Sequence, residues 1–173
     1  MSYNDYMDKT KQEFSAIYDK YIDKIYRFVF LKVSSQEVAE DLTSDTFLRG
    51  WESYKSNKDK VQNYQSFLYK IANNLVIDYY RFKGKVKIVS TEDRKIADPK
   101  ANIEKKATLS SDMDNIKIVL ADMSEDYQNV IIWHYLDGIP INDIAQIMDK
   151  SEEATRVLLH RALKTLRTTI KEA

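Results

Sequence analysis

Apolar side chains recur at steps of three and four residues over long stretches of this chain, and this spacing constrains the fold most strongly. The first stretch runs from about Asp8 to Val33. Such steps place side chains on one face of an α-helix, so the stretch predicts a long amphipathic helix. Its inward face consists of Phe14, Ile17, Tyr18, Tyr21, Ile22, Ile25, Phe28 and Val29.

The same spacing predicts two more helices in the N-terminal half. The second begins after Ser34 or Ser35, either of which can cap it, since a serine hydroxyl accepts from free backbone N–H groups. A polar loop over residues 56–65 precedes a third helix at about Ser66–Phe82. The predicted inward residues are Val38, Leu42, Thr46, Phe47, Trp51 and Tyr54 on the second helix, and Phe67, Leu68, Ile71, Leu75, Tyr79 and Phe82 on the third.

The periodicity stops after the third helix and resumes at Met113. Residues 84–111 are polar and charged, which is typical of a linker, with a short helical piece near Ile103 to Leu109. Beyond it, Ser124 is a candidate helix cap, Gly138 a helix end and Ser151 the cap of the last helix. We therefore predict domains at residues 8–83 and 112–173, joined by a flexible linker at 84–111.

The composition supports an all-α fold and excludes several kinds of site. The 173 residues include three glycines, two prolines and no cysteine. Glycine-rich phosphate loops, disulfides and thiolate metal sites are therefore excluded, and strand-rich folds use more turn residues. No apolar run approaches the roughly 20 residues that cross a bilayer, and the N-terminus is too polar for a secretory signal. We expect a cytoplasmic protein without membrane insertion.

Charge is segregated along the chain although the totals balance at 27 basic and 27 acidic residues. Residues 36–52 carry five acids and one base, whereas residues 81–100 carry seven bases and three acids. Residues 156–171 carry five bases and no acid. Local charge of this kind indicates different partners for different segments.

The last two helices have the layout of a helix-turn-helix, because a three-residue turn at Asp149–Ser151 joins them. The final helix has a core stripe of Leu158, Leu159, Ala162, Leu163, Leu166 and Ile170. Its cationic face suits the major groove of DNA, where bases and phosphates accept from Arg and Lys. The alternative is the solvated face of an ordinary bundle. The face consists of Arg156, His160, Lys164, Arg167 and Lys171.

Two other faces stand out on the second and third helices. On the third, aromatic and basic residues interleave, which fits single-stranded nucleic acid, although Tyr79 and Phe82 also suit a core. We expect Tyr69 and Tyr80 to be exposed there. On the second, Leu48 interrupts an acidic column of Asp41, Asp45 and Glu52, which indicates contact with a basic protein. A metal site at Glu37, Asp41 and Asp45 would lack the usual Glu-x-x-His pairs, and no catalytic triad is recognisable. We expect neither enzymatic activity nor a cofactor.

In this order, the pieces resemble a bacterial sigma factor of the extracytoplasmic-function (ECF) group of the sigma-70 family. AEDLTSDTFLRGWESY, from Ala39 to Tyr54, resembles the helix that docks on the β′ clamp of RNA polymerase. FLYKIANNLVIDYYR, from Phe67 to Arg81, resembles the helix that melts and reads the −10 element. The segment from Leu120 to Arg167 resembles the domain that reads the −35 element.

The resemblance implies roles for particular residues. The polymerase contacts would be Asp41, Asp45, Leu48 and Glu52. The −10 contacts would be Lys58, Asn63, Tyr69, Lys70, Asn73, Asn74, Tyr80, Arg81 and Lys83, with Asn73 where the family commonly has arginine. The −35 contacts would be Arg156, His160, Arg161, Lys164 and Arg167. The implied partners are core RNA polymerase (β′ clamp and β flap), promoter DNA and an anti-sigma factor.

Two alternatives belong to other functional classes. A stand-alone helix-turn-helix regulator with an N-terminal sensing bundle would need a dimer to match a palindromic site. A metal-dependent helical hydrolase would use the carboxylates of the second helix.

Overall fold

A computed structural model describes residues 3–57, 61–89 and 109–172 of the chain. These ranges contain helices, turns and no strand, so the prediction of an all-α fold is confirmed. The helices are α1 (Tyr3–Val33), α2 (Gln36–Asn57), α3 (Tyr64–Val89), α4 (Leu109–Leu120), α5 (Glu125–Ile131), α6 (Ile141–Met148) and α7 (Glu152–Glu172), and one π-helical turn, Ile132–Leu136, continues α5.

Polar side chains cap several helix starts; the caps at Ser35 and Ser151 were predicted from the sequence, that at Asn63 was not, and the predicted cap at Ser124 is wrong. Ser151 accepts from the backbone N–H of Ala154 at 3.1 Å, and Asn63 accepts from that of Ser66 at 3.0 Å. Ser35 makes a longer bond of 3.4 Å to the N–H of Val38. Ser124 precedes α5 but makes no side-chain cap. These bonds satisfy N–H groups that a helix cannot pair internally.

The third helix is longer than predicted and α4 begins before the predicted end of the linker, so the segment between them is shorter than predicted. It continues to Val89, seven residues past the predicted end at Phe82, and α4 begins at Leu109. The predicted helical piece near Ile103 lies outside the described residues.

Gly50 permits close packing among the first three helices. A Cβ at this position would lie 2.9 Å from Cδ2 of Leu68 on α3 and 3.5 Å from the ring of Phe14 on α1. The Phe14 ring also lies 5.3 Å from that of Trp51 and 5.5 Å from that of Tyr54. A larger residue at position 50 would therefore require the Leu68 side chain to shift within the core.

The C-terminal helices pack on α1 and α3, so one hydrophobic core continues through both predicted domains. Its centre is a cluster of three buried rings. The Phe28 centroid is 5.8 Å from that of Tyr69 and 5.4 Å from that of Trp133, and the Tyr69 and Trp133 centroids are 6.3 Å apart. We call the contact between α1 and α3 on one side and residues 125–149 on the other the seam.

The seam changes which residues of α3 are buried. Tyr69, Ala72 and Val76 are fully buried, because α3 has helices on two sides. The predicted inward position of Phe82 is wrong, since its side chain is 69% exposed on the helix extension. On α7 the predicted inward position of Ile170 is also wrong, at 57% exposed, because the residue lies beyond the helices that cover Leu159 and Ala162.

Candidate functional site

The acidic face of α2, formed by Asp41, Asp45, Leu48 and Glu52, lies entirely on the surface. Leu48 is 56% exposed, although the adjacent Phe47 is buried with its ring 4.8 Å from that of Tyr18. The helix is thus anchored on one side and presents carboxylates around an apolar side chain on the other. Such a face suits a basic protein partner with an apolar contact at its centre.

A metal site on this face has no geometric support within the described residues. No group of three or more His, Asp or Glu side chains there is placed to hold an ion. Within the same ranges, no helix has the length and apolar character needed to span a bilayer.

The five residues expected at the −35 element, which we call the basic face of α7, are all exposed; they are Arg156, His160, Arg161, Lys164 and Arg167. The opposite side of the helix is fixed by the buried residues Leu159 and Ala162. The turn between α6 and α7 contains Asp149 in the left-handed conformation, with φ of 53°. The result is a rigid helix-turn-helix whose second helix presents cations to the surroundings, the geometry that enters a major groove.

One cation of this face has an acidic neighbour that the sequence analysis missed. Nη2 of Arg156 lies 3.0 Å from Oε2 of Glu152, one turn earlier on α7. The Arg156 side chain is 59% exposed and that of Glu152 is 50% exposed. An exposed pair of this kind contributes less than about 1 kcal/mol, so a phosphate can replace Glu152 as the partner.

The nine residues expected at the −10 element fall into three groups. Lys58 lies outside the described residues, and Asn63 caps α3. Asn74, Arg81 and Lys83 are exposed, and Tyr80 is 46% exposed. The remaining three, Tyr69, Lys70 and Asn73, lie in the seam.

Tyr69 is the main departure from the expectations for α3. Its ring is fully buried, so the prediction of an exposed stacking ring is wrong for this arrangement of the chain. Burial, with a smaller contribution from the charge of Asp137, raises the pKa of its hydroxyl above the ordinary value. The other two make polar contacts across the seam: Nζ of Lys70 lies 2.6 Å from Oδ1 of Asp149, and Nδ2 of Asn129 donates to Oδ1 of Asn73 at 3.1 Å.

The exposed part of α3 is organised differently. The Tyr80 hydroxyl donates to the backbone oxygen of Lys32, which fixes the ring against α1 while one side remains exposed. Arg81 pairs with Asp78 at 3.2 Å, and Nζ of Lys83 lies 5.7 Å from the centre of the Tyr79 ring. These residues combine cations with accessible aromatic surface, as a single-strand site requires.

An ion pair at the seam, between a partly exposed arginine and a buried aspartate, was not anticipated from the sequence. Arg27 of α1 donates to Oδ1 of Asp137 and, at 3.1 Å, to the backbone oxygen of Leu136. The Asp137 side chain is completely buried. Burial raises its pKa above the ordinary value, and the bond from Arg27 acts in the opposite direction. From the sequence, Asp137 was interpreted only as part of a helix end beside Gly138. Its pairing with Arg27 was not predicted, because the two residues are 110 positions apart.

Comparisons with known proteins find two matching regions in the chain. The family model for sigma-70 region 2 matches residues 17–86, and that for sigma-70 region 4 matches residues 115–166. The first range contains the acidic face and almost all of α3. The second contains α6, the turn and α7 as far as Leu166, with every residue of the basic face except Arg167.

Individual relatives share a quarter or more of the aligned residues. The ECF RNA polymerase sigma factor BldN of Streptomyces coelicolor is 29% identical over 155 residues, covering 88% of this chain and 58% of that protein. The ECF RNA polymerase sigma factor SigX of Bacillus subtilis is 26% identical over 162 residues, covering 91% of this chain and 83% of that protein. This chain thus spans less than two thirds of the first relative and most of the second.

A solved structure shows the same fold. It contains the sigma factor RpoE of Bartonella quintana in complex with the anti-sigma factor NepR. RpoE aligns with a TM-score of 0.74 and 21% sequence identity, over 92% of this chain and 98% of that one.

Proposed function

Because this chain belongs to the ECF group of the sigma-70 family of transcription initiation factors, we propose that it binds core RNA polymerase and directs it to specific promoters. The observation that carries the proposal is the agreement between family regions and exposed faces. The region 2 match contains an exposed acidic face, and the region 4 match contains an exposed basic helix in a helix-turn-helix.

The acidic face of α2 is proposed as the docking surface for the β′ clamp. Asp41, Asp45 and Glu52 supply long-range attraction to a basic partner, and Leu48 supplies apolar area at the centre. The C-terminal helices are proposed to contact the β flap of the same enzyme.

The basic face of α7 is proposed to grip duplex DNA at the −35 element. Arg156 and Arg161 near the helix start would reach base edges or phosphates, and Lys164 and Arg167 further along would hold the backbone. Asn74, Tyr80, Arg81 and Lys83 of α3 would hold the opened strand at the −10 element. Each DNA contact is weak alone, and tethering to polymerase makes them act together.

The chain is proposed to supply no catalytic step and no cofactor, since it lends direction and strand opening to an enzyme that polymerises. It would act in the cytoplasm, where polymerase and promoter DNA are found. An anti-sigma factor is a proposed further partner, by analogy with the complex of RpoE and NepR. The stand-alone repressor is not favoured, because both sigma regions occur in one chain in the family order.

Transcription in vitro tests the proposal. The purified chain is added to core RNA polymerase with a library of promoter fragments, and transcripts are mapped by their starting positions. We expect initiation at a defined subset of fragments only when the chain is present. Absence of any chain-dependent initiation would contradict the proposal.

Charge reversal tests the docking surface separately. The double variant Asp41→Lys/Asp45→Lys should lose at least tenfold in affinity for core polymerase, measured by fluorescence anisotropy. Asp122→Lys is the matched control, because Asp122 is an exposed carboxylate between α4 and α5. Unchanged affinity in the double variant would rule out the acidic face as the contact.

A further inference from the structure

A cavity of about 470 Å³ lies between the end of α1, α3 and the helices α4 and α5. Cavities of about 300–1,000 Å³ are of the size that holds small molecules. We propose that this cavity binds a small molecule that carries an oxyanion, a phosphate or a carboxylate, on an apolar body, and that the ammonium groups of Lys32 and Lys117 hold the oxyanion. Neither lysine belongs to the faces proposed above for polymerase and DNA.

Lys32, near the end of α1, is a buried cation whose hydrogen-bond partner is neutral. The residue is 9% exposed, and its Nζ donates to Oε1 of Gln128 at 2.9 Å. No carboxylate of the described chain forms an ion pair with it within 4.0 Å, and Glu125 and Asp126 act on it only from farther away. An ammonium group has three N–H donors, so two remain for another acceptor. Because buried charges are ordinarily paired, this position favours an anion.

Lys117, on α4, is the second cation of the wall. Its side chain is 17% exposed, and its Nζ lies 3.7 Å from the centre of the Phe30 ring. Oδ1 of Asp114 is 3.9 Å from the same nitrogen, which is too far for a hydrogen bond. Burial lowers the pKa of Lys117 below its ordinary value, and Asp114 acts in the opposite direction. The ring attracts the charge without supplying an acceptor atom, so the N–H groups of Lys117 can donate to an oxyanion.

The apolar part of the wall suits the body of such a ligand. Leu31, Ile118 and Ile132 contribute to it. Ile118 is 70% exposed, and an occupant of the cavity would remove part of this apolar surface from water. Small-molecule sites commonly combine an apolar lining with a few polar groups that fix the orientation of the ligand.

Ser34 adds a hydroxyl to the wall in a backbone conformation that favours glycine. Its φ is 57°, and its backbone N–H donates to the oxygen of Phe30 at 2.9 Å at the end of α1. A serine in this conformation carries strain that glycine avoids. The serine differs from glycine by its hydroxyl, which can donate to an oxyanion in the cavity.

Glu125 is the group of the wall that opposes an anion. It is the sole acid among the described residues that line the cavity, and its side chain is exposed. Water screens an exposed carboxylate more than it screens the buried ammonium of Lys32. The two cations therefore outweigh the acid.

Isothermal titration calorimetry on the full chain measures binding. Phenyl phosphate is the first probe, because it joins an oxyanion to an apolar ring, and benzoate offers a carboxylate on the same ring. Benzyl alcohol is the matched neutral probe. We expect saturable binding of phenyl phosphate or benzoate with a stoichiometry of about one, and none of benzyl alcohol. The tighter of the two anions identifies the oxyanion that the cavity prefers.

Lysine variants locate the bound oxyanion. Lys32→Met and Lys117→Met should each weaken binding about tenfold, because each removes charge-assisted hydrogen bonds and keeps a chain of similar length. Glu125→Gln should tighten binding about threefold, because it removes the opposing charge. A purely structural role of these residues would not change affinity in opposite directions.

Two further lysines serve as controls. Lys11→Met removes an exposed cation from the other end of α1 and should leave the affinity unchanged. Lys164→Met tests the other place where an oxyanion could bind, the basic face of α7, and should also leave it unchanged. A loss in Lys164→Met equal to that in the cavity variants would place the anion on α7 and overturn the inference.

Ser34→Gly keeps the test decisive if circular dichroism shows that a lysine variant is unfolded. It relieves the strain at φ of 57° and removes only the hydroxyl, so it should fold and bind about threefold more weakly.

Two other outcomes would overturn the inference: no saturable binding of either anion, or unchanged affinity in every folded cavity variant. These measurements use neither polymerase nor DNA. Failure of the proposed function would appear separately, as absence of polymerase-dependent initiation.

Discussion

The two helices proposed to bind DNA, α3 and α7, differ in how much of their binding surface is available in the free chain. All five residues of the basic face of α7 are exposed. On α3, Tyr69 is buried in the seam, Lys70 and Asn73 are partly exposed and make polar contacts across it, and Asn74, Arg81 and Lys83 are exposed. The surface proposed to bind duplex DNA is thus wholly exposed, whereas the surface proposed to bind the single strand is only partly exposed.

The difference arises from where the neighbours of each helix lie, since α3 and α7 each contact three other helices. Helix α7 packs through one stripe, centred on Leu159 and Ala162, so its other side faces solvent. Helix α3 packs against α1 and α2 on one side and against α6 on the other. A binding face on a doubly packed helix becomes available only through a rearrangement.

The largest expected effect comes from removing the central ring of the seam. Trp133→Ala should lower the free energy of unfolding by about 3–5 kcal/mol, because it leaves a cavity beside Phe28 and Tyr69. Tyr135→Ala is the control: Tyr135 is 53% exposed, and the change should be within about 0.5 kcal/mol. Urea denaturation followed by circular dichroism measures both. Equal effects would show that the aromatic cluster does not hold the seam.

The second prediction concerns the pH dependence of stability. Burial lowers the pKa of Lys32 from 10.5 to about 8, with Glu125 and Asp126 acting in the opposite direction. The unfolded chain therefore binds the proton of Lys32 more tightly than the folded chain does. As the pH drops from above 10 to 8, the contribution of Lys32 to the free energy of unfolding falls, and below pH 8 it no longer changes. The penalty on the charged form is about 3 kcal/mol.

Lys32→Met should remove this penalty at the cost of about 1 kcal/mol for the bond to Gln128. We expect the variant to be about 1–2 kcal/mol more stable than the wild type at pH 7, with the advantage shrinking between pH 8 and 10. Titrating tyrosines are common to both proteins and cancel in the difference. If the difference in free energy of unfolding between the two proteins did not change with pH, the Lys32 ammonium group would be exposed to solvent rather than buried.

The third prediction compares one lysine from each DNA-binding helix. Lys164→Ala on α7 should weaken binding to a −35 duplex several-fold and reduce the salt slope by about one. Lys70→Ala should leave duplex binding unchanged, because Lys70 lies on α3, which is proposed to hold the opened single strand. Gel-shift titrations at several salt concentrations separate the two. Equal losses would mean that both helices touch the duplex.

The smallest effect is expected at the start of α7. Glu152→Gln releases Arg156 from an exposed pair and should change stability by less than about 0.5 kcal/mol. Duplex affinity should rise about twofold, because a negative charge near phosphate is removed. Glu153→Gln, also exposed in the first turn, is the comparison for general charge effects. A larger rise in the comparison variant would show that the pair with Arg156 is not the cause.

The sequence predicted the parts of the fold that depend on near neighbours. The long first helix, the cap at Ser151 and the helix end at Gly138, which has φ of 67°, all follow from local spacing and local hydrogen bonds. The exposure of the acidic and basic faces follows in the same way, because charged side chains opposite a core stripe remain in water. The roles of these faces in binding polymerase and DNA stay predictions.

The sequence did not predict which surfaces of α3 would be covered. Tyr69 was expected to be exposed because it lies off the predicted inward stripe, and Phe82 was expected to be buried because it lies on it. Both errors have one cause: periodicity identifies a face that suits burial and does not count how many helices will pack on the element.

The sequence alone determined which segments are helical, which faces of them are polar, and which family has such segments in this order. These properties depend on residues within a few positions of each other. Only the tertiary structure decided that Arg27 meets Asp137, a pair separated by 110 positions, and that Trp133 closes over Tyr69. Such contacts form when two amphipathic surfaces find each other in space, and no local pattern encodes which surfaces those are.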